Sequence, residues 1–482
     1  MRRWCTEAGD HDPGEPQTRG VHMVDRQRVV IVGGGFTGLY AGKKLEKLLP
    51  ASTAELVIVS PTDHLTYSPL LPDVTASVIE PRHVAVSLRQ ALPRHKLVVG
   101  HTTSVDPEAK TITISRSERG VVGEDTQVLS YDKLLLAPGS VTRRFPIPGV
   151  SENARGVKTI TEAAFVRDHL ISQLDAADAL PDDPRFDAER RERMTVVAVG
   201  AGYTGTEIVA QTHRWLTRVA DRWSNIDAAD VRWLLIDVAP AVLPELGPRL
   251  GQYALSALKG RGIDVRLGVS VASVEGNVIN LTDGTPIPSR TLIWGAGIVA
   301  NPLMGTLGLP LDRGRLVVDA KMKVAGAEDV WAAGDAAAVP DLVKPKPADG
   351  PQPVTPPTAQ HAQRQGTAVG KNIAASFGIG QAADYVHKDL GLVADLGGGT
   401  AVAKPLGIEM TGLPAKIVAR GYHLYALPAM SNRIRVLTDW ALHVLLPVQA
   451  VALNQTRPED ALITPAQNTD IYTKAEDKPK VG

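Results

Sequence analysis

The chain has 482 residues, 52 Lys and Arg against 52 Asp and Glu, and a single cysteine. That length supports roughly three domains with a large core, and the zero net charge, with no basic stripe, leaves nucleic acid without support as a partner. Cys5 alone excludes a disulfide framework, a cysteine-held metal cluster and a redox-active cysteine pair within one chain, so no metal is expected and cytosolic exposure fits.

Residues 1–26 hold Asp10, Asp12, Glu15 and scattered Gly and Pro without an apolar core, and read as a disordered leader rather than a signal peptide or anchor. The apolar run Arg28 to Val32 then leads into Gly33-Gly34-Gly35-Phe36-Thr37-Gly38, with a helix expected over Leu39 to Leu48 and a strand over Glu55 to Val59. This is a dinucleotide fingerprint. Gly33 allows the tight turn, Gly35 lets the backbone approach a pyrophosphate, and Gly38 lets helix and strand pack closely. The helix N-terminus, with Phe36 and Thr37, offers free N–H donors to the phosphates. An acid is expected at the end of the second strand to hold the ribose, but Ser60 stands there, with Asp63 near. The next landmark, Tyr131 to Ser140, is an apolar strand running into a Pro-Gly turn that carries Ala137 and Gly139.

The charged stretch Pro181 to Arg193 reads as a linker. After the strand Thr195 to Val199 a second fingerprint follows, Gly200-Ala201-Gly202-Tyr203-Thr204-Gly205, with a helix from Glu207 to about Val219. The strand Val231 to Ile236 ends in Asp237, where the ribose-binding acid belongs; its other reading is a strand-end turn residue. A carboxylate there repels a 2′-phosphate, and no Arg or Lys follows within ten residues, so NADH is favoured over NADPH. Further on, Thr291 to Trp294 runs into Gly295-Ala296-Gly297, and Val330 opens a short strand into Gly334-Asp335. The proline-rich loop Asp341 to Pro357 is expected to brace the helix after it. No stretch reaches the roughly 18 uninterrupted apolar residues that a spanning helix needs. In Val436 to Leu453, Leu437, Trp440, Ala441, Val444 and Leu445 recur at helical spacing beside Arg433 and Arg435. They suit an interfacial helix or one packed on its own domain or on a dimer partner.

The order of these motifs resembles the two-dinucleotide flavoprotein reductases and, within them, the type II NADH:quinone oxidoreductases. Four features carry the closer resemblance: Tyr67 to Pro72 with Glu80-Pro81-Arg82; Glu207, two residues past Gly205; Ala359-Gln360-His361-Ala362-Gln363-Arg364-Gln365-Gly366; and Asp389-Leu390-Gly391, Gly397, Ala401-Val402 and Asn432-Arg433 in that order. The resemblance covers about residues 27 to 445 and has three departures. Arg364 replaces the first of a paired glutamine, Leu390 stands where relatives often carry lysine, and Pro414 to Ala429 has less aromatic bulk than the family's membrane-interface helix.

The resemblance implies an α/β fold of two Rossmann-like dinucleotide-binding domains, for FAD and NADH, with a C-terminal α+β and amphipathic helical region. The expected parts are a leader (1–26), a FAD domain in two pieces (27–150 and 310–384), an NADH domain (151–309) and a quinone or membrane-interface region with a tail (385–482). It implies hydride transfer from NADH to non-covalent FAD and electron transfer to a quinone, peripheral contact with the cytoplasmic membrane face, and room for a homodimer. Asp335 would hold the ribityl or phosphate side of FAD. Glu207 would position the nicotinamide or protonate the acceptor, or merely favour the helix dipole as the residue opening its helix. Gln360 and Gln365 would line the quinone pocket, or belong to a plain surface helix. Two other classes stay open: a soluble NADH-dependent reductase for a small electron carrier or oxygen, and a non-turnover sensor that binds NADH and FAD.

Overall fold

The computed structural model describes residues 26–118 and 121–472, so the leader expected over 1–26 lies almost wholly outside the described residues. Two β-rich units follow from two apolar patterns. The first sheet has seven strands in the order Val330–Ala332, Lys133–Leu136, Gln27–Val32, Ala54–Ser60, Lys96–Asp106, Thr111–Glu118 and Val121–Ser130. Its first five strands pair in parallel, with Ile31 opposite Ile58 and Val32 opposite Leu136. The last two turn back antiparallel. Val29, Val30 and Ile31 are buried in succession, as befits a parallel strand covered on both faces. The second sheet has five parallel strands, Ala154–Arg155, Thr291–Trp294, Thr195–Val199, Arg232–Asp237 and Asp264–Leu267.

Each fingerprint lies between the middle one of five parallel strands and a helix, and both helices begin earlier than expected. They span Phe36–Leu48 and Tyr203–Val219, because Gly35 and Gly202 take extended N-cap conformations directly before them. Glu207 is therefore the fifth residue of its helix and lies past the first turn, which removes the reading in which it opens the helix and serves the dipole. The linker expected over Pro181 to Arg193 instead contains the helix Asp187–Arg193, held by Glu189 to Arg193 at 2.6 Å and to Arg290 at 3.2 Å.

The helix Ala359–Ala375 lies along the first fingerprint helix, and small residues allow the approach. A Cβ on Gly366 would stand 2.5 Å from the Thr37 carbonyl oxygen, and one on Gly370 2.9 Å from that of Ala41. Beyond it come a three-stranded sheet (Val393–Asp395, Ala401–Ala403, Met410–Thr411) and the helices Gly412–Ala426 and Met430–Leu445. They are separated where Leu427 turns extended before Pro428. The apolar face expected around Trp440 is split. Trp440 and Val436 are buried, whereas Leu437, Val444 and Leu445 face outward. No helix among the described residues is long and apolar enough to cross a membrane.

The final segment, Ile463–Gln467 and Thr469–Tyr472, bridges the two units: Ile463 packs in the core beside the second sheet, and Tyr472 reaches the first. Gln467 Oε1 accepts from Thr142 N at 2.7 Å, its Nε2 donates to Thr142 Oγ1 and Glu162 Oε1 at 2.8 Å each, and the Tyr472 hydroxyl donates to the Thr102 carbonyl at 3.0 Å.

Candidate functional site

The two glycine turns repeat one geometry. Gly33 has φ +109° and Gly200 φ +110°, both in the left-handed half of the map. A Cβ on Gly33 would strike the Ala137 carbonyl, and one on Gly200 would stand 2.5 Å from the Gly295 carbonyl oxygen. This explains why Ala137 and Gly295 accompany the fingerprints: in each unit the strand next to the fingerprint strand ends against the turn. The third glycines, Gly38 and Gly205, face the carbonyls of Gly33 and Gly200, leaving no space for a methyl. The middle glycines differ, because a Cβ on Gly35 or Gly202 would meet nothing within 4 Å. Each opens onto free space at a helix N-terminus, which is the place a pyrophosphate needs.

Around Gly35 that space is a cleft of about 350 Å³. Gly33, Phe36, Thr37, Ser60, Ala137, Gly139 and Asp335 all line it. Gly139 carries φ +76° at the Pro-Gly turn. Ser60 is buried, with Oγ accepting weakly from Thr62 N at 3.4 Å, and its side chain underlies Gly34. Asp63 is exposed and bonded to His64 Nδ1 at 3.0 Å; it does not line the cleft. On the opposite wall Asp335 Oδ2 accepts from Ser140 Oγ at 2.5 Å, and Ser140 Oγ accepts from Lys158 Nζ at 2.8 Å. The closing segment contributes Gln467, Asn468 and Tyr472, which the sequence offered no motif to find.

At the second turn Asp237 reaches back to the glycines. Its Oδ2 accepts from Ala201 N and its Oδ1 from Ala239 N at 2.7 Å, so one carboxylate fixes both the turn and the strand end. Thr204 is exposed at the turn, while the Tyr203 hydroxyl is buried without a hydrogen-bond partner. Burial raises the Tyr203 pKa, and the carboxylates of Glu245 and Glu207 add to the effect. Gly297, at φ +87°, accepts from Arg143 N at 3.1 Å.

Both glutamine side chains are engaged. Gln365 Oε1 accepts from Gly334 N at 2.7 Å and Nε2 donates to Thr355 Oγ1 at 2.9 Å, so this residue ties the Gly334-Asp335 loop to the proline-rich loop. Gln360 Oε1 accepts from Leu390 N at 2.7 Å and pairs with His387 Nε2 at 3.0 Å, and its Nε2 donates to the Gly391 carbonyl at 3.3 Å. Gln360 thus holds the segment containing Leu390. Arg364 donates to the Gln360 carbonyl at 3.1 Å and stands among Tyr40, Tyr385 and Tyr422, acting on the charge of all three.

Glu207 belongs to a buried charge cluster that sequence spacing does not show. Its Oε1 accepts from Asp395 N at 2.7 Å, and Asp395 in turn pairs with Lys416 Nζ and accepts from Gly397 N at 2.8 Å. Asp73 lies beside them with Oδ1 unpartnered. Burial, then the nearby carboxylates of Asp395 and Asp73, push the Glu207 pKa well above the ordinary range, against the backbone bond from Asp395. Asp73 is also the residue after the Tyr67 to Pro72 stretch, the one local signal that pointed near it. Above the cluster, Tyr67 packs edge-on against Phe36 at 5.7 Å and its hydroxyl meets His423 Nδ1 at 3.3 Å.

The family described as pyridine nucleotide-disulphide oxidoreductase matches residues 27–366. The type II NADH:quinone oxidoreductase NdhA of Mycobacterium tuberculosis is 30% identical over 443 residues, covering 89% of this chain and 88% of the relative. The internal alternative NAD(P)H-ubiquinone oxidoreductase A1 of Solanum tuberosum is 27% identical, with 86% of each chain covered. Among solved structures, NDH2 from Plasmodium falciparum in complex with NADH superposes with a TM-score of 0.78 at 18% identity, covering 88% of this chain and 100% of that one. That likeness is one of fold.

Proposed function

The chain belongs to the pyridine nucleotide-disulphide oxidoreductase family and, within it, to the type II NADH:quinone oxidoreductases, and from that premise we infer that it is an FAD-dependent, non-proton-pumping NADH:quinone oxidoreductase. The observation that carries the reading is the doubled glycine turn, each with its middle glycine open and its outer glycines blocked by carbonyls. The residues fit the two nucleotides. Gly33, Gly35, Phe36, Thr37, Gly38, Ser60, Ala137, Gly139, Gly334 and Asp335 would hold FAD; Gly200, Gly202, Tyr203, Thr204, Gly205, Asp237, Gly295 and Gly297 would hold NADH. When bound, the flavin supplies hydride acceptance from NADH and electron delivery to the quinone.

The protein's part is to bind, orient and supply protons. Asp237 accepts hydrogen bonds from a ribose and disfavours a 2′-phosphate. Gln365 acts at one remove, fixing the loop that presents Asp335, and Gln360 fixes the Leu390 segment. With Glu207 Oε1 accepting from Asp395 N, a proton on the raised-pKa carboxyl sits on Oε2 and is available to a reduced quinone. Cys5 is the only cysteine, so no disulfide relay within the chain stands between NADH and the acceptor.

The exposed faces of the C-terminal helices support peripheral contact with a membrane surface. Leu413, Ile417 and Tyr425 on one, and Met430, Ile434, Leu437, Val444 and Leu445 on the other, form exposed apolar stripes at helical spacing. A homodimer burying the same stripes is the competing arrangement, and native mass measured without lipid separates the two.

The test is anaerobic NADH and NADPH consumption by the FAD-loaded protein with and without a short-chain quinone. Quinone-dependent, NADH-selective turnover is expected; flavin reduction without quinone-dependent turnover refutes the reading. Glu207→Gln should keep its FAD and lose turnover, and unchanged steady-state kinetics would remove Glu207 from the mechanism.

A further inference from the structure

A second cavity, of about 150 Å³, lies between the second fingerprint helix and the two C-terminal helices. Arg214, Arg218, Lys416 and Arg420 line it, together with His443 and the Gly397-Gly398 turn. Lys416 is neutralised by Asp395 behind it, and Asp73 and Glu207 are the other carboxyl groups beside that pair. The arginines are not neutralised in this way. Among the described residues Arg214 has no hydrogen-bond or carboxylate partner. Among those residues Arg218 donates only to His443 Nε2, at 3.1 Å. Arg420 stacks on Trp440 at 4.7 Å, and its Nε is buried without a partner.

Arg214 and Arg218 stand one turn apart on their helix, a like-charge pair that weakens the helix in isolation. Arg218, Arg420 and Lys416 all bear on one imidazole, that of His443, which stays neutral at ordinary pH. The Arg218–His443 hydrogen bond and the Arg420–Trp440 stack use these cations but do not neutralise them; a multivalent oxyanion would. Guanidinium groups match a phosphate in shape and donor number, and the cavity has room for a phosphate group but not for a nucleotide. Val444 is both a wall of the cavity and part of the exposed apolar stripe, so an anion here would sit at the edge of the face assigned to the membrane.

We propose that the pocket formed by Arg214, Arg218 and Arg420 binds the phosphate of an anionic lipid headgroup, with the acyl chains directed along the stripe through Val444. The source of the phosphate rests on the membrane reading above; the anion site itself does not. The experiment compares FAD-loaded wild type with Arg214→Gln, with Arg214→Gln/Arg420→Gln and with Arg313→Gln, a control elsewhere on the surface that matches the single variant in charge. Each is titrated with phosphatidylcholine vesicles with and without phosphatidylglycerol at fixed ionic strength, and the FAD content of each is measured. The expected result is tighter binding of wild type to the phosphatidylglycerol vesicles, with about tenfold or more of that gain lost in the double variant and none in Arg313→Gln. The exposed single variant Arg214→Gln should lose part of the gain, and it decides the matter if the double variant fails to fold. A gain that survives in the Arg214 variants overturns the pocket, while continued binding to pure phosphatidylcholine keeps the membrane reading. If wild type binds neither vesicle, the membrane reading fails and inorganic phosphate becomes the probe. A phosphate-induced rise in the thermal midpoint, absent from the variants, then supports the anion site with free phosphate as its source; no rise overturns it.

Discussion

Asp73 is 3% exposed with one carboxylate oxygen unpartnered, and its pKa is pushed up from 3.8 to about 6, first by burial and next by the Asp395 carboxylate. Lys416, Arg420 and a hydrogen bond with Gln211 pull the other way without prevailing. The folded chain therefore binds this proton more tightly than the unfolded chain does. Below about pH 4 both states carry it. As pH rises toward 6 the unfolded state gives it up first, and beyond that the folded state must surrender it too; stability falls across this window by roughly 3 kcal/mol. Asp73→Asn keeps the shape of the protonated acid and removes the loss. Urea unfolding of both FAD-saturated proteins, followed by tryptophan fluorescence, should give equal stabilities near pH 4 and a variant more stable by about 3 kcal/mol at pH 8. A difference that does not change with pH would refute the assignment. A less stable variant at pH 8 would mean that Lys416 and Arg420 outweigh burial.

Gly202→Ala places a methyl in free space, so the variant should fold and keep its FAD while KM for NADH rises about tenfold or more; unchanged KM would show that the pyrophosphate lies elsewhere. Gln365→Ala leaves the Gly334 N–H without its acceptor, at about 1–3 kcal/mol, so FAD should dissociate about 10–100-fold more readily, as read by flavin fluorescence released on gel filtration. Asp237→Asn removes the charge that repels a 2′-phosphate, and the ratio of kcat/KM for NADH over NADPH should fall about tenfold; a constant ratio would limit Asp237 to its backbone bonds.

What could be read from sequence divides by the range of the physics involved. The glycine turns were legible because positive φ and the exclusion of a Cβ are demands met within a few residues. The Pro-Gly and Gly-Ala-Gly segments were visible as turns, but their contact with the first glycine of each fingerprint was not. Whether a side-chain amide is free or engaged is a tertiary matter: Gln360 and Gln365 both offer amides, and only the fold shows them bonded to the Leu390 segment and the Gly334 loop. Asp73, Asp395 and Lys416 come from three separate elements and share no periodicity, so their convergence could not be anticipated. The spacing around Trp440 left open whether the helix lies at an interface or packs on its own domain, because apolar periodicity does not say which side meets its neighbours; the fold buries Trp440 and leaves Leu437, Val444 and Leu445 outside. The segment 463–472 carries no repeating pattern, and its role depends on where the rest of the chain leaves the Thr142 amide and the Thr102 carbonyl.

That returning segment bears on how the protein matures during synthesis. The cleft proposed for the flavin is walled by Gly33 early in the chain and by Gln467, Asn468 and Tyr472 several hundred residues later. On a ribosome, which releases a chain from its N-terminus onward, the first fingerprint emerges hundreds of residues before its last wall. A cofactor arriving early would meet an open trough, so enclosure waits until residue 472 has emerged, and ribosomes stalled before that point should carry chains that hold flavin less tightly than the released protein.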